Sequence, residues 1–330
     1  MNEAFHAGGP AAATAAEPGA LLPARPSVSR PLRSRVAAAG TPYALLLPTV
    51  AVLGLVLAYP LYQLVRISLE HFGLRELIAH KGTWTGLTNY TDVLGDGEFW
   101  RVALRTAVFA AVNVSLTMVL GVLVALLLER VWRPVQLLVT VALISAWAMP
   151  FIVAVDIWQW MVDFEFGVGN WTLTHLGIGN FVHHNWFASP WQGFAVITAC
   201  VVWGAIPFVA ITVYAALTQV PRELVEAARV DGASGWAVFR HVTVPLLKPI
   251  LIILTSLSII WDFQVFNQVF VMLGERPTPD YYLLSIYSFV KSFRVQQYGS
   301  GASIAIVMVV LMLGVSFVYV RQMVRAEAPQ

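Results

Sequence analysis

The sequence predicts an all-α, polytopic membrane protein with six crossings, and three observations carry that prediction. Of 330 residues, 58% are hydrophobic and only 12% charged, whereas a soluble globule carries about a quarter of its residues charged. Six apolar runs, each near the roughly 20 residues that a helix needs to cross a bilayer, fall at 43–66, 103–128, 134–161, 191–217, 250–273 and 301–320. Basic residues gather before the first run and in alternate connections, which is the bias that sets topology.

Residues 1–41 are rich in Ala, Pro, Gly and Ser, with Arg25, Arg30, Arg33 and Arg35 just ahead of the first run. This composition predicts a disordered cytoplasmic tail, not a cleaved signal peptide. Six crossings return the C-terminus to the same side. Arg130 and Arg133 in the short second connection, the basic residues of 221–249, and Arg321 and Arg325 then all lie with the N-terminal arginines. The predicted orientation is N-in and C-in, with a permease domain over 42–323 and a short cytoplasmic tail at 324–330. Arg75, Lys81, Arg276, Lys291 and Arg294 fall in the outer loops, so the short connection and the N-terminal cluster decide the orientation.

The third run contains Pro150, which predicts a kink, then Asp156 and Trp160 one helical turn apart with Trp158 beside them. Trp158 fits an interfacial aromatic belt or a sugar-stacking role equally. Trp203, Pro207 and Tyr214 lie in the fourth run, as does Cys200, the only cysteine, which reads as a buried thiol. In the fifth run, 1.5 Å per residue from Ile250 places Asp262 roughly 18 Å deep. A carboxylate there costs about 2.5–3.5 kcal/mol, so it is expected to face a polar cavity or a partner subunit. On a continuous helix Gln264 and Gln268 share one face, Asp262 and Phe266 another, with Asn267 between. Together with Trp261 these groups suit a neutral polyhydroxylated ligand, or else polar contacts between subunits.

Between the fourth and fifth runs lies PRELVEAARVDGASGWAVFRHVTVPLLKP, residues 221–249, too highly charged to sit in lipid. Pro221 suits a first helical position, Glu223 and Glu226 the positive end of the helix dipole, and Arg229 the negative end. Gly232 is expected to end that helix, and Ser234 to cap a second short one carrying Trp236, Phe239 and Val242. Pro245 and Pro249 mark re-entry into the membrane.

This stretch strongly resembles the cytoplasmic coupling loop, the "EAA" motif, of permease subunits of binding-protein-dependent ATP-binding-cassette importers. Glu226-Ala227-Ala228, Asp231-Gly232-Ala233, Phe239, Pro245 and Pro249 carry the resemblance. Further matches are to carbohydrate permeases of the maltose and oligosaccharide type: Asn89-Tyr90, Phe99-Trp100, Gly167 with Asn170, and Tyr298-Gly299. Arg105-Thr106 stands where these permeases carry Asn-Thr, and Phe266-Asn267 where they carry Phe-Asp.

The resemblance covers about 43–323. It implies a type I importer permease for a sugar, paired with a second homologous permease subunit and two separate ATPase subunits, and supplied by an extracytoplasmic sugar-binding protein. ATP and Mg would be bound by the partner subunits, with no cofactor in this chain. Glu226, Ala227, Ala228, Asp231, Gly232, Ala233 and Phe239 would couple to the ATPase. Trp261, Asp262, Gln264, Phe266, Asn267, Asp156, Trp158 and Trp203 would line the substrate path.

Other classes are tested by their motifs. No GxxxxGK[ST] phosphate loop precedes Lys81, Lys248 or Lys291, so this chain is not expected to hydrolyse ATP itself, and no HExxH, GxSxG or paired cysteines appear. His183-His184 near Asp163 and Glu165 lack helical metal-ligand spacing and read as a polar outer loop. The net charge of +2 is spread along the chain and implies no nucleic-acid partner. The alternative function is a secondary carrier or a membrane scaffold, which would not depend on an ATPase; no internal repeat of the kind such carriers often show is evident.

Overall fold

Breaks in the helices, as much as the helices, give this fold its form. The computed structural model describes residues 45–327, with backbone alone for 324–327. The tail predicted over 1–41 lies outside the described residues. Of the predicted tail 324–330, residues 324–327 continue the last helix and the remainder lies outside.

Two units are distinguished, residues 1–59 and 60–330. The described part of the first, 45–59, is helical with every residue exposed, and belongs to the apolar helix α1 (Leu45–Ser68). The second unit runs β1 (Glu70–His71), α2 (Leu74–Ala79), β2 (Thr83–Trp84), α3 (Thr88–Gly95), α4 (Gly97–Arg130), α5 (Arg133–Trp147), α6 (Phe151–Met161), α7 (Val168–His175) and α8 (Pro190–Leu217). It continues with α9 (Arg222–Val230), α10 (Gly235–Phe263), α11 (Asn267–Met272), α12 (Leu284–Phe289) and α13 (Tyr298–Glu327). The two strands pair antiparallel, Glu70 opposite Trp84; the rest is helical, as the composition predicts.

Among the described residues five helices are long and apolar enough to cross a membrane: α1, α4, α8, α10 and α13. The bent pair α5 and α6, which meet at 99°, passes the same test of length and composition only when taken together, which brings the candidate crossings to as many as six. The kink expected at Pro150 is thus a full break. Proline has no N–H for the carbonyl one turn back and disfavours helical backbone at Met149. Pro150 itself is extended, with ψ 125°, and α6 starts at the next residue.

The fifth crossing corrects the sequence boundaries. It does not span 250–273: α10 begins at Gly235 and stops at Phe263. A five-residue π turn at Phe239–Thr243 joins its first turn to the long helix, and the Val244 N–H reaches back to the Phe239 carbonyl. After Phe263 the chain turns, with Phe266 at φ −128°, ψ −60°, before α11.

α4 and α8 form the central pair, and α10 packs on both. Gly121 permits the close approach of α4 to α8, since a Cβ there would lie 2.8 Å from the Val209 Cβ. Ala125, Val209, Val213, Leu217, Leu247 and Leu254 fill the interior at one end. Phe109, Ile197, Val269 and Ile286 belong to the cluster at the other. Cys200 is a buried free thiol.

Several motif residues are staples for the loops between the helices. Asn89 donates to the Ser68 and Glu70 carbonyls at 2.9 and 2.8 Å, and Gly299 gives it room. Asn170 donates to the Asp163 and His184 carbonyls and accepts from the Trp186 indole at 2.5 Å. Arg105 donates to the Pro279 and Tyr282 carbonyls at 2.8 and 3.0 Å. Thr106 accepts the Leu284 N–H at 2.9 Å while donating to Val102.

At the head of α4, Asp96 accepts from the Glu98 N–H and the Tyr287 hydroxyl, each at 2.9 Å, with Lys291 at 3.9 Å. The Glu98 amide first, then the Tyr287 hydroxyl, hold its carboxyl below the usual carboxylate range.

Thr106→Val leaves the buried Leu284 N–H without its acceptor and should cost about 1–3 kcal/mol, measured as a lower melting temperature of the purified protein. Because the Asp96 carboxyl is depressed on folding, its contribution is fully present above its unfolded value of about 3.9 and is lost as pH falls through the lower folded value. The melting temperature should therefore begin to drop below about pH 4, and Asp96→Asn should flatten that part of the profile; an unchanged profile would remove Asp96 from the account.

Candidate functional site

The segment after α8 builds a rigid, water-facing corner. Pro221 is extended and caps α9 instead of occupying its first turn; Glu223 lies in that turn and Arg229 in the last. The end of α9 is a Schellman motif: the Ala233 N–H reaches the Ala228 carbonyl and the Gly232 N–H the Arg229 carbonyl, both at 3.0 Å. This closure needs a left-handed residue, and Gly232 supplies it at φ +83°. Ser234 then caps the next helix, its hydroxyl accepting the Ala237 N–H at 3.3 Å.

That next helix is not the separate short piece expected from the sequence. It is the root of α10 and runs on into the crossing, so force applied at the Gly232 corner acts directly on a span. Glu226, Ala227, Asp231 and Gly232 are exposed, while Ala228, Ala233 and Phe239 are half-buried. Val230 is 87% exposed and Trp236 68%; Trp236 lies against Phe239 with ring centroids 5.5 Å apart. Apolar groups left bare beside small alanines form a knob shaped for close contact.

Beneath the knob is a groove of about 570 Å³ that includes Glu129, Arg130, Gln136, Arg222, Glu226 and Phe239. The short α4–α5 connection and the 221–249 loop therefore share one end of the molecule. Gln136 hydrogen-bonds the Tyr214 hydroxyl, tying α5 to α8 there.

A family model described as binding-protein-dependent transport system inner membrane component matches residues 117–327, a stretch that takes in the whole corner. The chain belongs to this family. Among relatives of this permease family, the diacetylchitobiose uptake system permease protein DasB of Streptomyces coelicolor is 41% identical over 291 residues, covering 88% of this chain and 89% of the relative. The trehalose/maltose transport system permease protein MalF of Thermococcus litoralis is 35% identical over 238 residues, covering 72% and 79%. A permease chain of the bacterial ABC transporter involved in import of the acidic polysaccharide alginate superposes with a TM-score of 0.72 over 88% of this chain and 99% of that one, at 19% identity, which bears on the fold.

The residues expected along a substrate path are distributed by the two helix breaks. Asp156 is exposed on α6, and Gln264 and Asn267 are exposed at the turn into α11; α6 and α11 pack against each other. Trp158 meets Trp203 edge-on at 6.3 Å. Trp261 meets Phe208 at 5.3 Å, and Phe208 stacks on Trp147. Phe266 packs with Phe270 and Phe289 at 5.0 and 5.2 Å. The shared faces inferred for Asp262 with Phe266 and for Gln264 with Gln268 do not exist, because no helix connects 263 to 267.

Asp262 is 4% exposed. It is packed within this chain and sits one residue from the end of α10, just before the turn into α11. Ser258, one turn earlier, is buried too, and α4 contributes buried Asn113 and Thr117. Asn113 Oδ1 and Thr117 Oγ1 have no hydrogen-bond partner among the described residues. The sequence reading passed over these two; polar residues four apart inside an apolar run were the available signal.

His184 bonds Gln192 at 3.1 Å and His183 lies against Phe164, and among the described residues no three His, Cys, Asp or Glu could hold an ion together.

Asp262→Asn keeps shape and hydrogen-bonding capacity while removing the acid. Its expected signature is altered transport kinetics at wild-type surface expression, and wild-type kinetics would assign Asp262 to packing.

Proposed function

We propose that this chain is one of two membrane subunits of an ATP-driven sugar importer, forming half of the translocation path and moving it through the Gly232 corner. The observation that carries the reading is mechanical: a family-typical knob is locked by a Schellman motif and is continuous with the crossing α10. A secondary carrier has no use for such a docking surface, and membership of a binding-protein-dependent family does not favour that alternative.

In this reading a second, homologous permease completes the path. Two separate ATPase subunits bind ATP and Mg and receive Glu226, Ala227, Ala228, Asp231, Gly232, Ala233 and Phe239, the alanines allowing close seating. Closure of the ATPase pair drives the two corners together, and each corner tilts its α10. An extracytoplasmic binding protein delivers the sugar. The N- and C-termini lie in the cytoplasm, supported by the common end of the basic α4–α5 connection and the 221–249 loop.

For the substrate, the relatives named for diacetylchitobiose and for trehalose/maltose support a saccharide of small-oligomer size. The exposed amides Gln264 and Asn267 and the rings of Trp158, Trp203, Trp261 and Phe266 suit sugar hydroxyls and C–H faces. Asp156 is the exposed carboxylate of this set.

The test is Gly232→Pro in the reconstituted complex. Proline holds φ near −65° and cannot occupy a position at +83°, so uptake and sugar-stimulated ATPase activity should both be lost while the binding protein still captures ligand. Gly232→Ala, strained by about 1–2 kcal/mol, should be milder. Uptake unaffected by Gly232→Pro, or uptake that survives ATP depletion and collapses with the ion gradient, would overturn the reading in favour of a carrier.

A further inference from the structure

A groove between two crossings plays no part in the coupling just described. α10 and α13 flank a cavity of about 820 Å³, walled by Leu251, Ile252 and Ile259 on one side and Gly314, Val315 and Val318 on the other. Thr255 and Ser256 interrupt the first wall, and towards one end, beside Val244 and Pro245, the lining carries Lys248, Tyr319 and Gln322. Lys248 is exposed, is the one charged residue lining the groove, and has no ion pair among the described residues.

The dimensions select the occupant. From Lys248 to Ile259 is eleven residues, about 16 Å along a helix, which is roughly half the 30 Å hydrocarbon core of a bilayer. The stretch from Lys248 inward is thus one leaflet deep and mostly apolar, with a cation and two hydrogen-bonding side chains towards one end. An anionic head group carrying an acyl chain answers both the ammonium and the apolar wall, whereas a wholly apolar crossing helix would leave the ammonium without a counter-charge. Lysine can hold its charge at the interface while its methylenes lie along the apolar wall.

We propose that this groove is a binding site for one anionic glycerophospholipid, its phosphate at Lys248, its head group hydrogen-bonded by Tyr319 and Gln322, and an acyl chain lying between α10 and α13. Basic pockets between membrane helices recognise anionic head groups in this way. The bound lipid would brace α10, the helix rooted in the Gly232 corner, against α13. The inference depends on membrane embedding and not on the identity of the sugar or on coupling to an ATPase.

Gly314 allows a clean test, because a Cβ there meets nothing within 4 Å and replacing a mid-helix glycine favours the helix. Gly314→Leu therefore fills the groove without a clash. The full-length protein, purified in mild detergent, is titrated with phosphatidylglycerol or with phosphatidylcholine of the same acyl chains, and bound lipid is counted by native mass spectrometry. The expected result is a single adduct favouring phosphatidylglycerol by about fivefold, the contribution of one lysine at an anionic surface. Lys248→Gln should erase the preference, Lys248→Arg should keep it, and Gly314→Leu should remove the adduct for both lipids. Equal binding of the two lipids by the wild type, or an adduct that persists in Gly314→Leu, would overturn the proposal. So would a photo-crosslinker at Val315 that captures a polypeptide in native membranes.

Discussion

A backbone carbonyl or amide released inside a bilayer has no water to turn to, and the rest of this structure is arranged around that constraint. The crossings are interrupted at Ala148–Pro150 and at Gln264–Phe266, and each interruption frees groups that continuous helices would have paired. The second is answered from elsewhere in the chain. The Ser285 hydroxyl donates to the Val265 carbonyl at 2.5 Å, and Phe266 is held by Phe270 and Phe289. Close by, Arg105 and Thr106 on α4 take the loose carbonyls and amide of 279–284. Arg105, a departure from the family pattern, and Thr106, which keeps to it, thus clamp the segment that follows the break.

The breaks in the third and fifth apolar runs place polar side chains beside helix ends. A straight apolar helix offers a path only side chains, whereas a break presents polar groups where two short helices meet. α6 and α11 pack together, and Asp156, Gln264 and Asn267 stay exposed on or beside them. Transporters commonly place ligands at discontinuous helices. The fully enclosed Asp262, Asn113 and Thr117 lie instead within the packed body, where buried polar groups fix how helices mate.

At the opposite end the same economy of backbone bonds makes a lever. The Schellman closure pairs the last carbonyls of α9, Ser234 pairs an amide at the start of α10, and the π turn before Pro245 absorbs the donor that proline lacks. No slack backbone remains between the corner and the crossing.

Local chemistry alone determined the all-α class, the apolar runs that become five crossing-length helices and one bent pair, and the caps and glycine corner of 221–249. Apolar run length, proline, glycine and N-cap serine act over one helical turn and leave their mark in consecutive residues. The tertiary structure decided the rest. Nothing in residues 264–266 forbids a helix, as neither glycine nor proline occurs there, and the crossing stops because Ser285 and Phe289, some twenty positions later, hold the turn. That same distance in sequence hid the enclosure of Asp262 and the clamping role of Arg105: a hydrogen bond between residues 105 and 279 has no periodicity to betray it, because only the packing of α4 against the returning chain brings donor and acceptor together.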